Sequence, residues 1–311
     1  MHASDLPHPP PGMMTLRVGC TLSYIVQGNV PLLLLVQPRL EGGQVLLQEE
    51  WTHASGSSTT PAADRFRDAH GNAVIRTMLT PGLNLIRHDM VVLVPESEER
   101  QEEPMDLVSP SALPPEALRY TFASRYCESD RLVQFAYERF GHLRQHPAEL
   151  IDSICGWTHA NIEYRYGSGS SLLSACDILA RGYGVCRDYA HVMVALCRAM
   201  DIPARYAAGY LPYLDPRTAE GDMGVDFHAY CEVYLGGCWH IYDPRYNRTH
   251  KGRIKIAHGM DAVDCAFATL YGEATLDRFQ VWAYDTGGRD EHAGDPVAVV
   301  RGKDGNAVLA A

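Results

Sequence analysis

Three residues have the types that nucleophilic acyl chemistry requires: Cys186, His228 and Asp243. Cys186 follows Gly184-Val185 and opens a stretch in which Tyr189, Met193, Leu196 and Met200 recur at helical spacing, with Ala190, Val194 and Cys197 beside them. That period predicts a mostly buried helix with Cys186 at or next to its N-terminus. Unpaired N–H groups and the positive end of the helix dipole favour a thiolate there, which lowers a thiol pKa. Alone, a cysteine is more often a packed core residue. The other two residues change that weighting. His228 lies in Phe227-His228-Ala229-Tyr230-Cys231-Glu232-Val233-Tyr234-Leu235, a strand by composition, and Gly236-Gly237 then turns the chain back through 238–243. A two-residue Gly-Gly loop sets the hairpin register. Leu235 then faces Cys238, Tyr230 faces Asp243, and His228 sits one diagonal step from Asp243 on the same face. Diagonal partners are about 7–8 Å apart by Cα, within reach of long side chains. A carboxylate can then hold one imidazole nitrogen and leave the other for a thiol. A one-residue slip would separate the pair onto opposite faces.

Other chemistry-bearing residues carry less. Cys231, Cys238, His228 and His240 could suggest zinc, but the C-x6-C spacing fits no common pattern, and His228 faces away from both cysteines in this register. Cys176 reads as core. Arg187 and Asp188 are expected to make a supporting salt bridge or hydrogen bond. His191, five residues past Cys186, is poorly placed for direct contact. Tyr230 and Trp239 share the face of His228 and are candidate cleft walls, although packing explains them equally well.

These residues need a scaffold. Residues 14–95 read as β structure: alternation over 15–26, a continuous apolar run over 31–36, and further strands at 44–51, 74–79 and 83–94. We expect a small antiparallel sandwich here, after a loose tail at 1–13. The acidic, polar run 96–104 reads as a solvated linker, extended to 114. A helical period follows, with Asp130 a candidate cap for a helix over 131–140, then helices over 147–162 and 172–181. A strand enters at 206–210, 214–224 is a polar loop, 245–259 reads as a basic loop, and 280–284 as a last strand. The expected organisation is a second domain over 115–285 and a C-terminal extension over 286–311.

Composition excludes some functions. With 311 residues and 46% hydrophobic content, the chain can bury a sizeable core. A formal net charge of -11 argues against nucleic acid and anionic membrane partners, which need clustered Lys and Arg. Nine scattered cysteines are not a disulfide framework and fit a reducing compartment. The N-terminal residues lack an apolar signal-peptide region, and the apolar run 31–36 is too short to span a bilayer. The expectation is a soluble, cytoplasmic protein.

The motifs resemble the transglutaminase-like cysteine enzymes of the papain-like group. The likeness is carried by Gly184-Val185-Cys186-Arg187-Asp188-Tyr189-Ala190-His191, Ile202-Pro203-Ala204-Arg205-Tyr206 with Gly209-Tyr210, His228-Ala229-Tyr230-Cys231-Glu232-Val233, and Trp239-His240-Ile241-Tyr242-Asp243-Pro244. It covers roughly 150–245. The N-terminal β region and the stretch from His258-Gly259-Met260-Asp261 to Tyr271-Gly272 are also similar to bacterial proteins of this group. Tyr230 stands where the family often has Trp, and Met260 interrupts what often reads Gly-Arg-Asp. The resemblance implies an α+β fold: a papain-like/transglutaminase core with a helix-borne Cys on an antiparallel sheet, preceded by a small antiparallel β-sandwich. It implies a peptide or protein substrate, no cofactor, and amide attack by Cys186 through a thioester, with His228 as base and Asp243 as its holder. The thioester then passes to water or to an amine. The oxyanion would meet the Cys186 backbone N–H and one further donor. Trp157 and Asn161, on the preceding helix, are candidates for it, though a core aromatic and a helix-end amide describe them better. No acidic loop supports calcium use. The alternative is a non-catalytic binding or assembly module on the same fold.

Overall fold

The computed structural model describes residues 9–56, 61–99, 106–212, 214, 226–289, 291–297, 300–301 and 307–308. The first part of the chain forms β1 (Met13–Val26), β2 (Val30–Leu34), β3 (Val45–Ser55), β4 (Asp64–Arg67), β5 (Ala73–Leu79) and β6 (Gly82–Pro95). Then come α1 (Pro115–Leu118), α2 (Val133–Phe140), α3 (Pro147–Asn161), β7 (Glu163–Tyr164), α4 (Ala175–Arg181), β8 (Tyr183–Gly184) and α5 (Cys186–Arg198). The chain closes with β9 (Ala204–Tyr210), β10 (His228–Leu235), β11 (Cys238–Tyr242), β12 (Ile254–Gly259), β13 (Ala268–Leu270) and β14 (Thr275–Asp285), ahead of two short strands near the C-terminus. The fold is α+β, with antiparallel main sheets.

Two four-stranded sheets form a sandwich, in the orders β14-β1-β6-β3 and β13-β2-β5-β4. Alternate side chains of β1 and β6 and the apolar run of β2 fill its interior, with Leu16, Leu22, Leu32, Leu34 and Ile86 all buried. The 115–285 division does not hold for the sheets. β13 pairs with β2 and β14 with β1, so strands from near the end of the chain complete both layers of the sandwich. A buried cluster locks β14 in place. Arg17 Nη2 donates to Asp89 Oδ2 at 2.7 Å, and Trp282 Nε1 donates to Asp89 Oδ1 at 3.0 Å. The charges are paired and hydrogen-bonded, the condition under which burying them is tolerable.

The third sheet, in the order β11-β10-β9-β12, carries α5 on one face. Every residue of α5 from Asp188 to Arg198 is buried, because the sheet covers one side while α3 and α4 pack against the helix from elsewhere. Its buried charged members have partners: Asp188 meets Arg181, and Arg198 Nε donates to the Ala204 carbonyl at 2.8 Å.

Three local expectations differ from the structure. The basic stretch 245–259 ends in the strand β12, because Arg253 and Lys255 find carboxylates in the buried Asp243 and Glu232 and the half-buried Glu99. Asp130 lies in a 3-10 turn ahead of α2, whose cap position is Leu132, so it does not cap that helix. Residues 96–98 are exposed, as expected of a solvated run, but Glu99 is half-buried. Glu98 pairs with Lys251, and Glu99 binds Arg253 and the His250 N–H. Residues 100–105 of the linker candidate, the 214–224 loop apart from residue 214, and residues 1–8 of the tail lie outside the described residues. Residues 9–12 lead directly into β1, and the Gly12 carbonyl accepts from the Glu96 N–H at 2.8 Å.

Candidate active site

Gly236 and Gly237 sit at φ 57° and 98° and close the β10–β11 hairpin in the expected register, with Leu235 opposite Cys238 and Cys231 opposite Tyr242. One diagonal step beyond the last pair, His228 Nε2 meets Asp243 Oδ2 at 2.7 Å. Both side chains are buried. Nδ1 of the imidazole is left for another partner.

Cys186 is the first residue of α5. Asp188 sets the start of that helix. Its Oδ2 accepts the Val185 N–H at 3.0 Å and pairs with Arg181 Nη2 at 3.2 Å. An acid at the third helical position that reaches back to the cap N–H satisfies an orphan donor and complements the dipole. Gly184 makes room for it, since a Cβ there would stand 2.7 Å from both Asp188 Cβ and Oδ2. The supporting role expected of Asp188 is thus to position the helix that carries Cys186.

The Cys186 thiol does not have the lowered pKa expected from its helix position. Burial pushes it up to about 12, with Asp226 and Asp243 adding in the same direction, while the backbone N–H groups of Ala229 and Arg187 pull the other way. Cys186 keeps an accessible face. That face admits a reagent, whereas the dense packing around sulfur disfavours the anion. Desolvation exceeds the helix-end effect here. The contact with the Ala229 N–H also brings the sulfur to the start of β10, next to His228. Both residues line one cavity of about 550 Å³.

Asp243 is embedded more deeply than the hairpin alone requires. Its Oδ2 also accepts from Arg253 Nη2 at 2.9 Å, and His250 Nε2 stands 3.4 Å away. Arg253 in turn donates to Glu99 and lies over the Tyr230 ring, 4.2 Å from its centroid. Burial alone would raise the Asp243 carboxyl. His228, His250 and Arg253 hold it well below the usual carboxylate range. The Tyr246 ring packs between His228 and His250, with centroids at 5.3 and 5.0 Å. Sequence reasoning missed Arg253, because a cation in a basic stretch gives no sign of its buried carboxylate partner.

Four other candidates fall away from the cavity lining. Trp157 packs against Phe135 and Phe140, and Asn161 Nδ2 donates to the Trp157 carbonyl at the exposed helix end. Tyr230 is fully buried beneath Arg253, and Trp239 covers Arg205, 3.9 Å from the guanidinium carbon. His191 lies behind the cavity. It is stacked on Tyr126, its Nε2 accepts the Ala262 N–H at 3.1 Å, and burial holds it well below its usual pKa. Among the described residues no group of three or more His, Cys, Asp or Glu side chains is arranged to hold a metal ion.

Comparison with known proteins places this geometry. Residues 137–244 match the model of the Transglutaminase-like superfamily. A crystal structure of a proposed cysteine protease from Cytophaga hutchinsonii superposes over 95% of this chain and 96% of its own, with a TM-score of 0.75 and 28% identity. An uncharacterized protein of Mycobacterium leprae is 32% identical over 125 residues, covering 39% of this chain and 43% of that protein. One from Mycobacterium tuberculosis is 27% identical over 136 residues, covering 42% and 43%. The match thus spans less than half the length of these curated relatives.

Proposed function

With residues 137–244 forming a transglutaminase-like domain, we propose that this chain is a thiol enzyme acting on amide bonds of a peptide or protein. The observation that carries the reading is the 2.7 Å His228–Asp243 hydrogen bond on the same cavity as Cys186. The high thiol pKa assigns His228 a definite task. Cys186 rests protonated, and His228 takes the proton as sulfur attacks the carbonyl carbon, so thiolate character develops with the new S–C bond. Asp243 stabilises the imidazolium and fixes its orientation. The oxyanion forms beside the first turn of α5, where the Cys186 N–H has no intrahelical acceptor. Collapse breaks the C–N bond, and the leaving amine departs with the proton from His228. Water or a second amine then attacks the thioester, its proton passing to His228 and on to the released thiolate. We further propose a cytoplasmic, reducing setting, supported by nine scattered cysteines whose spacing is not a disulfide framework. No described helix is long and apolar enough to cross a membrane.

The test is thiol labelling of the native chain with an acyl-mimicking electrophile. Cys186 should label fastest of the nine cysteines, and His228→Ala should remove that advantage. Equal labelling of Cys186 in both proteins would refute the base role.

A further inference from the structure

The cavity that Cys186 and His228 share is lined mostly by carbon. From the two residues it runs along β9 and β12 to the start of the sandwich, past Tyr206, Ala208, Ile256, Phe227, Phe267 and Leu35. The aromatic part of the wall is braced from outside. Phe227 and Phe267 have centroids 5.5 Å apart, and Phe279 of β14 backs both at 6.0 and 5.1 Å. Among the described residues two charged side chains reach the lining, Arg187 and Asp226, and each has a local partner. Arg187 donates to the Ser170 carbonyl and lies over the Tyr126 ring at 4.5 Å. Asp226 Oδ1 accepts the N–H of Phe227 at 2.6 Å.

Size and chemistry together restrict the occupant. At about 550 Å³ the cavity is far wider than an unbranched side chain needs, and it falls in the range of sites that enclose whole small molecules. Away from Asp226 and Arg187, a charged group placed against the carbon-lined wall would lose water without an ion partner beside it, and a polar group would find few hydrogen bonds. Building on the thiol-enzyme reading above, we propose that this cavity binds a large apolar side chain of the acyl donor, of the size of Leu or Phe, next to the carbonyl that Cys186 attacks. The sandwich is then part of the specificity site, because Leu35 lines the cavity and the Leu35 N–H bonds the Phe267 carbonyl at 3.0 Å.

The test is ester turnover by the full chain. Substrates are p-nitrophenyl esters of N-acetylated Phe, Leu, Gly and Asp, with p-nitrophenyl acetate as reference. The Phe and Leu esters should exceed Gly in kcat/KM by about 10- to 100-fold, the worth of burying one large apolar side chain, and the Asp ester should be poorest. Ala208→Phe should lower turnover of the Phe ester at least tenfold relative to that of the acetate. Val263→Trp, at an exposed lining position, should act the same way without burdening folding. Cys186-dependent turnover with no apolar preference, or with both variants lowering every ester equally, would overturn the assignment. Titration of Cys186→Ala with N-acetyl-Phe amide and N-acetyl-Gly amide separates pocket from chemistry. Tighter binding of the Phe amide without ester turnover in the native chain would support the apolar site and refute the enzyme reading, whereas equal binding would refute the apolar site itself.

Discussion

Arg253→Met removes the cation that Asp243 and Glu99 share. The exposures of Asp243 and Arg253 are 3% and 6%, so water cannot replace the lost contact cheaply. Removing one partner of a buried ion pair costs about 3–5 kcal/mol, mostly because the other charge is left without compensation. Two features favour the lower end. Asp243 keeps His228, and Glu99 keeps the His250 N–H at 3.1 Å. Met also preserves most of the packing over the Tyr230 ring. The expected cost is therefore about 3 kcal/mol at pH 7, read as a shift in the urea midpoint at constant m-value. The pH dependence gives a second readout. Asp243 is a carboxyl with a depressed folded-state pKa. Such a group contributes stability above its unfolded value of about 4 and loses it as pH falls through the folded value. Arg253 supplies part of that depression, so the gap between wild type and variant should be full above about pH 4 and narrow below it. Arg253→Lys should recover part of the loss. A cost below about 1 kcal/mol, or a gap as large at pH 3 as at pH 7, would refute the coupling of Arg253 to Asp243.

Other outcomes follow from the same contacts. Gly184→Ala should displace the Asp188 carboxylate from the α5 cap, costing about 1–2 kcal/mol in urea unfolding and lowering Cys186 labelling more than that of the other cysteines; unchanged labelling would contradict the positioning role. Glu232→Gln should cost about 3 kcal/mol, since Lys255 and Arg205 lose a shared buried carboxylate at 2.8 and 2.5 Å, and a loss under about 1 kcal/mol would show that Glu41 compensates. In His228→Ala, Cys186 alkylation should keep rising tenfold per pH unit beyond pH 9, because the thiol is pushed up to about 12; a plateau near the ordinary thiol value of about 8.5 would contradict the burial argument.

The His228–Asp243 contact was legible because it depends on local information, a two-residue turn and the period of a strand. The position of Cys186 at the helix start was legible for the same reason. Its ionisation was not, because helix-end stabilisation is local whereas desolvation depends on β10, which approaches from about forty residues away in sequence. The strands β13 and β14 could be anticipated only in part. Residues 280–284 look like a strand, but nothing local says that they pair with β1 near the start of the chain. β12 reads as a loop because Arg253, Lys255 and His258 look solvent-bound until their buried partners are known. Trp157 and Trp239 illustrate the converse. Sequence places a large aromatic near a motif, and only the packing shows that it braces other side chains instead.

The most direct measurement is the mass of the chain after rapid mixing with p-nitrophenyl acetate and acid quench, followed by peptide mapping. A single acetyl adduct on Cys186 should form and decay during turnover, be absent in Cys186→Ala, and accumulate far more slowly in His228→Ala. A chain that shows no adduct, or one carried equally by another of the nine cysteines, would contradict the thiol-enzyme reading.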